Sequence, residues 1–218
     1  WNTAKEEMDF LMEAEHMDRF GELNSGISYI TYPKVYHDLT TKHVLVMERI
    51  HGIPVDKVDK LKELGYDMNE IGQKLAENFV KQILDDAFFH ADPHPGNIWI
   101  MDGKIAWLDF GMMGKLTGRD KELFRSAVTA IVNNDIYQLK NVFLTLGTAK
   151  QPIDHALLYT DVDEMVSRYG NLELGNMNLG VVFQEFMHVA NKHHILLPQS
   201  VTMLGRGVMT IEGVLRFC

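Results

Sequence analysis

The sequence has 218 residues, of which 46% are hydrophobic and 23% are charged, and this is the composition of an ordinary globular protein. Its 21 lysines and arginines against 30 aspartates and glutamates give a formal net charge of −9, which argues against nucleic-acid binding because no basic stripe can displace counterions from phosphates. The single cysteine, Cys218, excludes an internal disulfide framework and a multi-cysteine zinc site, and it indicates a reducing compartment.

The first predicted element is a helix from Thr3 to about Phe20. It begins with a Thr3-x-x-Glu6 capping box, in which a hydroxyl and a carboxylate satisfy backbone amides, and apolar residues then recur at helical spacing. The opposite face carries three acids at helical spacing, Glu6, Asp9 and Glu13. Because stacked like charges destabilise a helix, this face indicates either a missing cation or a solvated acidic surface.

Residues 33–36 and 43–48 are rich in strand-forming side chains, and a loop at residues 51–54 closes this region. The pattern predicts a short sheet whose last strand runs into a loop. From Ile71 onward, apolar residues repeat every four positions, which predicts a buried helix that ends at His90.

A proline-rich loop at residues 90–97 precedes a predicted hairpin. Its strands, residues 97–101 and 104–108, flank Asp102-Gly103, which is a strong two-residue turn signal. Further helices are predicted from the apolar periodicity of the remaining chain, at about residues 123–132, 136–146, 154–168, 178–193 and 199–216. The predicted fold class is therefore α+β, with a small β region followed by a mostly helical body.

The loop and hairpin carry Asp92, Asn97 and Asp109, which supply hard oxygen ligands of the kind that Mg²⁺ prefers. In the protein-kinase pattern, a catalytic Asp precedes a metal-binding Asn by five residues and an Asp-Phe-Gly follows a hairpin. One alternative is a metallohydrolase cluster of His90, Asp92 and His94. Another is that these residues only cap turns and enter strands.

Residues 90–97, His-Ala-Asp-Pro-His-Pro-Gly-Asn, followed by Trp-Leu-Asp-Phe-Gly-Met at 107–112, resemble the UbiB/AarF family of atypical protein-kinase-like ATPases. Residues 7–14 resemble the family's ExD motif and the glutamate that follows it, and the similarity extends over almost the whole chain. The resemblance implies a protein-kinase-like fold. Residues 1–50 would form a partial small lobe with an αC-like helix, short antiparallel strands and the hinge, and residues 51–218 a mostly helical large lobe.

The resemblance also implies the roles of individual residues. Asp92 matches the catalytic-loop aspartate, and Asn97 and Asp109 match the Mg²⁺ ligands. Glu13 matches the glutamate that pairs with a nucleotide-binding lysine. Glu7 and Asp9 match the two ExD acids, and Met47 matches the gatekeeper. Glu48 and Ile50 match the two residues whose backbones meet adenine. The lysine, with the phosphate loop, is expected upstream of residue 1.

The function that the resemblance implies is binding of ATP and Mg²⁺, with ATPase or phosphotransferase activity that supports isoprenoid-quinone or related lipid metabolism. A lipid or quinone precursor is then an expected partner, and the inner face of a bacterial cell membrane, or a mitochondrion in a eukaryote, the expected location. No apolar run approaches the roughly 18 residues of a membrane span, and the resemblance alone implies a peripheral membrane association through the full-length protein. The alternatives are a small-molecule phosphotransferase of the aminoglycoside or choline kinase type and a non-catalytic pseudokinase scaffold.

Overall fold

The computed structural model describes residues 9–169 and 179–218. The chain divides into two compact units, and among the described residues the first holds 9–114 and 213–218 while the second holds 115–169 and 179–212. The predicted lobe boundary at residue 50 falls inside the first unit and stays a prediction.

Helices and short strands alternate in the first unit. The helices are α1 (Phe10–Asn24), α2 (Val58–Glu63) and α3 (Met68–Leu84). The strands are β1 (Ile30–Thr31), β2 (Ile53–Pro54), β3 (Phe88–His90), β4 (Ile98–Met101), β5 (Lys104–Trp107) and β6 (Met113–Lys115). Single turns of 3₁₀-helix lie at His37–Leu39 and Pro95–Asn97.

A four-stranded sheet in the order β1-β5-β4-β2 carries the predicted hairpin. Strands β4 and β5 pair antiparallel, with Ile98 opposite Trp107, and β1 pairs parallel with β5. Asp102 and Gly103 connect the hairpin with φ angles of 48° and 75°, the left-handed conformation that such two-residue turns require. The hairpin prediction is confirmed.

Helix α1 differs from its prediction at both ends. Its described part begins at Phe10, since the carboxylate of Asp9 caps it by accepting the N–H of Leu11, and it continues to Asn24. The predicted capping box at Thr3 and Glu6 lies outside the described residues. Because Asp9 is the capping residue, it does not belong to the helical face that carries Glu13.

The two segments predicted as strands at residues 33–36 and 43–48 pair antiparallel, but only through isolated bridges. Val35 lies opposite Met47, and the N–H of Tyr36 donates to the carbonyl of Val46 at 2.8 Å. The described strands of the four-stranded sheet lie elsewhere in the chain. The predicted pairing is therefore correct, whereas its assignment to regular strands is wrong.

The helix predicted to end at His90 ends at Leu84 instead. Ala87 has a φ of 51°, which turns the backbone out of the helix, and residues 88–90 form strand β3. All three residues of β3 are buried, so the strand lacks polar alternation. Ala87 and Phe88 continue the four-residue apolar spacing of Ile83 and Leu84, so no change of period reveals the boundary.

Aromatic rings form the centre of the core of the first unit. Phe20, Trp107 and Phe110 are fully buried, and the ring centroids of Phe20 and Phe110 lie 4.9 Å apart. The ring of Phe79 stacks on Trp107 with centroids 6.5 Å apart. Such contacts add to the free energy of apolar burial, and they hold α1, α3 and the end of β5 in one cluster.

The second unit is mostly helical, as the apolar periodicity predicts. Its helices are α4 (Gly118–Val132), α5 (Ile136–Leu146), α6 (His155–Tyr169), α7 (Leu179–Lys192) and α8 (Gln199–Leu215), which continues into the last residues of the first unit. Strands β7 (Thr148–Ala149) and β8 (Ile195–Leu196) pair antiparallel. Its core includes the stacked rings of Phe143 and Phe186, with centroids 4.2 Å apart.

Candidate functional site

The loop between β3 and β4 places Asp92 and Asn97 next to each other. The side-chain N–H of Asn97 donates to the backbone carbonyl of Asp92 at 3.2 Å, and that carbonyl also accepts the N–H of His94 at 2.8 Å. His94 caps the 3₁₀ turn that contains Asn97 by accepting the N–H of Gly96 through Nδ1 at 3.0 Å. Because its nitrogen donates to Asp92, the amide oxygen of Asn97 is the atom left for a cation.

His90 is fully buried and joins this loop to the end of β5. Its Nδ1 accepts the N–H of Asp92 at 3.2 Å, so Nε2 carries the hydrogen and donates to the carbonyl of Leu108 at 3.1 Å. Burial lowers the pKa of His90, while bonds to the backbone and the charges of Asp92 and Asp109 oppose this effect only in part. With both ring nitrogens engaged, the neutral imidazole is not a metal ligand, which contradicts the metallohydrolase alternative.

Asp109 is the second residue after the end of β5, and its segment lies beside the loop. The N–H of Leu108 donates to the carbonyl of Asn97 at 2.9 Å, which fixes the two segments side by side. Asp109 has a φ of 54°, and one of its carboxylate oxygens accepts the N–H of Gly111 at 3.2 Å. Its side chain is exposed, as a carboxylate that meets a ligand from solvent must be.

Glu13 of α1 reaches the same segment. Its Oε1 accepts the N–H of Phe110 at 3.0 Å, and Nδ1 of His16, one turn further along α1, bonds to the carbonyl of Phe110 at 2.9 Å. Burial raises the pKa of Glu13 and the charge of Asp109 raises it further, while the bond from Phe110 lowers it in part. A carboxylate such as Glu13, whose ionisation is opposed by burial and by a neighbouring negative charge, is stabilised by a cation.

The structure describes the remaining predicted site residues except Glu7, and Ile50 among them is half-buried. Asp9 caps α1 and pairs with Lys42, whose Nζ lies 3.5 Å from the Asp9 carboxylate. Glu7 lies outside the described residues. Met47 is 40% exposed, and the N–H of Glu48 donates to the carbonyl of Lys34 at 2.7 Å.

Three buried amide side chains behind the loop were not predicted from the sequence. Asn24, Asn78 and Gln82 are at most 5% exposed, and they connect α1, α3 and His90 by hydrogen bonds. The available signal is their position, since Asn78 and Gln82 occur four residues apart among the apolar residues of α3 that face the core. A polar pair at buried helical positions indicates a hydrogen-bonded network.

The oxygen donors brought together here suit a hard cation. Among residues 9–169 and 179–218, no group of three or more His, Cys, Asp or Glu is arranged to hold a metal. Mg²⁺ does not need such a group, because it binds one or two carboxylates and completes its coordination with water and phosphate oxygens. The carboxylate of Asp109 and the amide oxygen of Asn97 fit that requirement.

A family model for the ABC1 atypical kinase-like domain matches residues 2–143. The chain belongs to this family. A second family model, for the UbiB helical domain, matches residues 162–217. The family membership that the motifs predict is thus confirmed, and the protein is atypical kinase-like.

Relatives and a solved structure extend the comparison of this ABC1 chain. It is 33% identical over 213 residues to an uncharacterised protein of the hydrogenase 1 5′ region of Clostridium pasteurianum, covering 98% of the chain and 40% of that protein. It is 30% identical over 210 residues to the chloroplastic protein ACTIVITY OF BC1 COMPLEX KINASE 1 of Arabidopsis thaliana, covering 96% of the chain and 31% of that protein. The chain therefore spans less than half the length of these two curated relatives.

The structure of Rv3197 from Mycobacterium tuberculosis, solved in complex with erythromycin, resembles this ABC1 chain with a TM-score of 0.64 at 16% identity. The match covers 97% of the chain and 54% of Rv3197. The likeness confirms the predicted α+β, protein-kinase-like fold. Within the described ranges, no helix of the ABC1 chain combines the length and the apolar character that a membrane crossing requires.

Proposed function

We propose that this chain forms the Mg²⁺–nucleotide site of an atypical kinase-like ATPase or phosphotransferase. The observation that carries the proposal is the hydrogen-bonded convergence of two segments, in which the N–H of Leu108 meets the carbonyl of Asn97 at 2.9 Å and His90 bridges Asp92 to Leu108. The two segments carry an aspartate, an asparagine and a second aspartate in the chain order that phosphoryl transfer uses, which supports the proposal.

Asn97 and Asp109 are the residues that would hold Mg²⁺ in this proposal. The ion neutralises charge on the phosphate oxygens and orients them when it is bound. The chain itself contributes a fixed amide oxygen, because the nitrogen of Asn97 is held by the carbonyl of Asp92. It also contributes an exposed carboxylate at Asp109, held in place by the N–H of Gly111.

Asp92 is the proposed base. Its carboxylate would accept the proton of the attacking hydroxyl group or water, while its backbone is fixed from both sides by His90 and Asn97. Since general bases act at hydrogen-bond distance, a fixed backbone limits the positions from which an acceptor can react. Water, a small molecule and a lipid-like molecule are all acceptors with such an O–H group.

Glu13 is proposed to pair with the lysine of the nucleotide site. The raised pKa of Glu13, caused by burial and by the charge of Asp109, supports this role because a lysine cation beside Glu13 relieves both effects. Glu7 and Asp9 are proposed to act near the nucleotide and the metal. The carboxylate of Asp9 would do so from the first turn of α1, which it caps.

The adenine ring is proposed to lie against residues 47–50, with Met47 as the gatekeeper. The N–H of Glu48 is donated to Lys34, which leaves its carbonyl as the group for an adenine amine. The backbone of Ile50 would provide the second contact. Side chains carry no signature of these contacts, because both are made by the main chain.

The proposed biological role is support of isoprenoid-quinone or related lipid metabolism at a membrane surface. The chain belongs to the ABC1 atypical kinase-like family, and the name of the Arabidopsis relative includes the word kinase. Both observations support kinase-like chemistry as the basis of this role. A lipid or quinone precursor is the acceptor class that we propose for the full-length protein.

The test is Mg²⁺-dependent ATP hydrolysis by the full-length protein and two matched variants. Asp109→Asn removes one metal carboxylate, and Asp102→Asn makes the same change at another exposed aspartate with positive φ. We expect Asp109→Asn to lower the rate by about 10²–10³-fold, the effect of losing one electrostatic group in such a site, and Asp102→Asn to leave it unchanged. Equal hydrolysis by wild type and Asp109→Asn would contradict the proposal.

A further inference from the structure

A continuous line of hydrogen bonds runs from the proposed catalytic loop to α1. The N–H of His90 donates to Gln82 at 3.0 Å, Gln82 donates to Asn78 at 2.9 Å, and Asn78 donates to Asn24 at 2.7 Å. Asn24 then donates to the carbonyl of Phe20 at 2.8 Å. We call the three side chains of Asn24, Asn78 and Gln82 the amide chain.

The two ends of the amide chain fix the direction of every bond within it. The backbone N–H of His90 can only donate, so the oxygen of Gln82 must face it, and the carbonyl of Phe20 can only accept, so the nitrogen of Asn24 must face that end. Each amide therefore donates toward α1 and accepts from the loop. Hydrogen bonds aligned in this way polarise and strengthen one another.

Burial makes the amide chain sensitive to change. Asn24 is 5% exposed, Asn78 1% and Gln82 0%. Each buried amide is favourable only while its partners are in place, because an unpaired buried donor or acceptor bears the full cost of desolvation. Apolar side chains could fill the same volume at lower cost, but they would not specify where His90 must lie relative to α1.

Both ends of the amide chain continue to the proposed site. His90 holds the N–H of Asp92 and the carbonyl of Leu108. On α1, the ring of Phe20 lies 4.9 Å from that of Phe110, and Glu13 accepts the N–H of Phe110. These contacts close a ring in which α1, α3, the loop and the segment after β5 each touch the next.

We infer that Asn24, Asn78 and Gln82 are positioning residues, which hold the loop with Asp92 and Asn97 in a fixed register against α1. The consequence for metal binding and phosphoryl transfer rests on the proposed function. The consequence for the order of the loop does not, because it follows from the hydrogen bonds alone. Two separate measurements therefore test the inference.

The decisive variant is Gln82→Met, which keeps side-chain size but removes both hydrogen bonds of the central amide. Its matched control is Gln73→Met on the same helix, where the glutamine is exposed and donates to the side chain of Glu77 at 2.8 Å. Both variants of the full-length protein are studied at a temperature well below their unfolding midpoints. The first measurement is hydrogen exchange at the amides of Asp92 and Leu108, and the second is Mn²⁺ affinity by electron paramagnetic resonance.

We expect exchange at Asp92 and Leu108 to be about tenfold faster in Gln82→Met, the equivalent of one lost buried hydrogen bond. Mn²⁺ affinity should fall by about tenfold or more, the effect of removing a partner that orients a metal ligand. Gln73→Met should match wild type in both measurements. Native exchange and native Mn²⁺ affinity in a folded Gln82→Met protein would overturn the inference.

A second variant covers the outcome in which Gln82→Met does not fold. Asn24→Ala cuts the amide chain at α1, further from the loop, and should change both measurements in the same direction by a smaller factor. No change in either measurement would then overturn the inference. If wild type itself binds no Mn²⁺, the proposed function fails. Hydrogen exchange alone then tests whether the amide chain positions the loop.

Discussion

The carboxylate of Glu13 accepts the backbone N–H of Phe110 at 3.0 Å, which ties α1 to the Asp-Phe-Gly segment. The neighbouring Asp109 raises the pKa of the same carboxyl, in addition to the larger effect of burial. The N–H of Phe110 therefore holds the carboxylate of Glu13 in place, while the negative charge of Asp109 opposes its ionisation. This combination is suited to a carboxylate that pairs with a cation, which is the role that we propose for Glu13 toward the lysine of the nucleotide site.

Glu13→Gln should stabilise the 218-residue chain at neutral pH, since within the described residues no cation lowers the pKa of Glu13. A folded-state pKa above the unfolded value means that the folded state binds more protons, so the contribution of Glu13 to the unfolding free energy falls as the pH rises above about 4.3. The glutamine keeps an acceptor for Phe110 without the charge. We expect a gain of less than about 1 kcal/mol at pH 8, because solvent screens a part-exposed carboxylate.

Thermal unfolding of wild type and Glu13→Gln at pH 5 and pH 8 measures this effect. Glu15→Gln is the control, since Glu15 is exposed on the same helix. A lower midpoint for Glu13→Gln than for wild type at pH 8 would show that the ionised carboxylate is a net stabilising group, contrary to the prediction.

His90 should make the protein less stable in mild acid. Its folded-state pKa lies below the ordinary value because of burial, so below about pH 6.5 the unfolded state binds a proton that the folded state does not. The unfolding free energy then falls with decreasing pH by up to about 1.4 kcal/mol per unit. Asp92 and Asp109, the charged groups near the ring, reduce this slope but do not reverse it.

The measurement is the pH dependence of chemical unfolding between pH 5 and 8 for wild type and His90→Gln. At pH 8 the variant should be less stable by about 1–3 kcal/mol, since it disturbs two buried hydrogen bonds. The difference should shrink as the pH falls. The control is His43→Gln, at an exposed histidine, which should keep the wild-type dependence of unfolding free energy on pH. A difference in unfolding free energy between wild type and His90→Gln that stays constant with pH would refute the prediction.

An ion-paired group in the second unit gives a prediction that does not depend on the proposed function. Asp161 accepts hydrogen bonds from His193 at 2.7 Å and Lys192 at 2.8 Å. Burial raises the pKa of Asp161, but these two partners lower it by more. Because His193 is buried, Asp161→Asn should lower the unfolding free energy by about 1–3 kcal/mol.

Calorimetry of Asp161→Asn should show a lower unfolding midpoint, with Glu164→Gln as the control at an exposed position of α6. Because the pKa of Asp161 is lowered in the folded state, its stabilisation is complete above the unfolded pKa and is lost as the pH falls through the folded-state pKa, so the difference between wild type and Asp161→Asn should disappear in acid. Equal midpoints for the two variants at pH 7 would count against the ion pair.

The hairpin turn predicts a difference between two open glycines. Gly103 has a φ of 75°, whereas the backbone of Gly26 is not in the left-handed region, and an added Cβ meets no atom within 4 Å at either position. Gly103→Ala should therefore cost about 1–2 kcal/mol, and Gly26→Ala much less. Urea unfolding of the two variants checks this prediction, which fails if both lose the same stability.

The parts of the fold that could be predicted from the sequence are those with a strong local signal. Asp102-Gly103 between two apolar runs predicts the hairpin because the turn type requires positive φ at both residues. The helices of the second unit follow from apolar periodicity alone. At the candidate site, the sequence predicts that the loop with Asp92 and Asn97 and the segment with Asp109 lie side by side, because the hairpin returns the chain to the loop.

Features that depend on tertiary contacts could not be predicted in this way. The end of α3 is hidden because the buried strand β3 follows as a second apolar run. In the sequence, Asp9 is one of three acids at helical spacing. Its role as the capping residue depends on where the folded helix begins. The amide chain was missed because hydrogen bonds between Asn24 and Asn78 join residues 54 positions apart.

Direct measurement of a divalent cation at Asn97 and Asp109 tests the central claim most directly. Mn²⁺ is titrated into the full-length protein in the presence of ATP and followed by electron paramagnetic resonance, for wild type, Asp109→Asn and Asp102→Asn. The account predicts that Asp109→Asn weakens Mn²⁺ binding by about tenfold or more, while Asp102→Asn binds as wild type does. Equal affinity in all three proteins would contradict it.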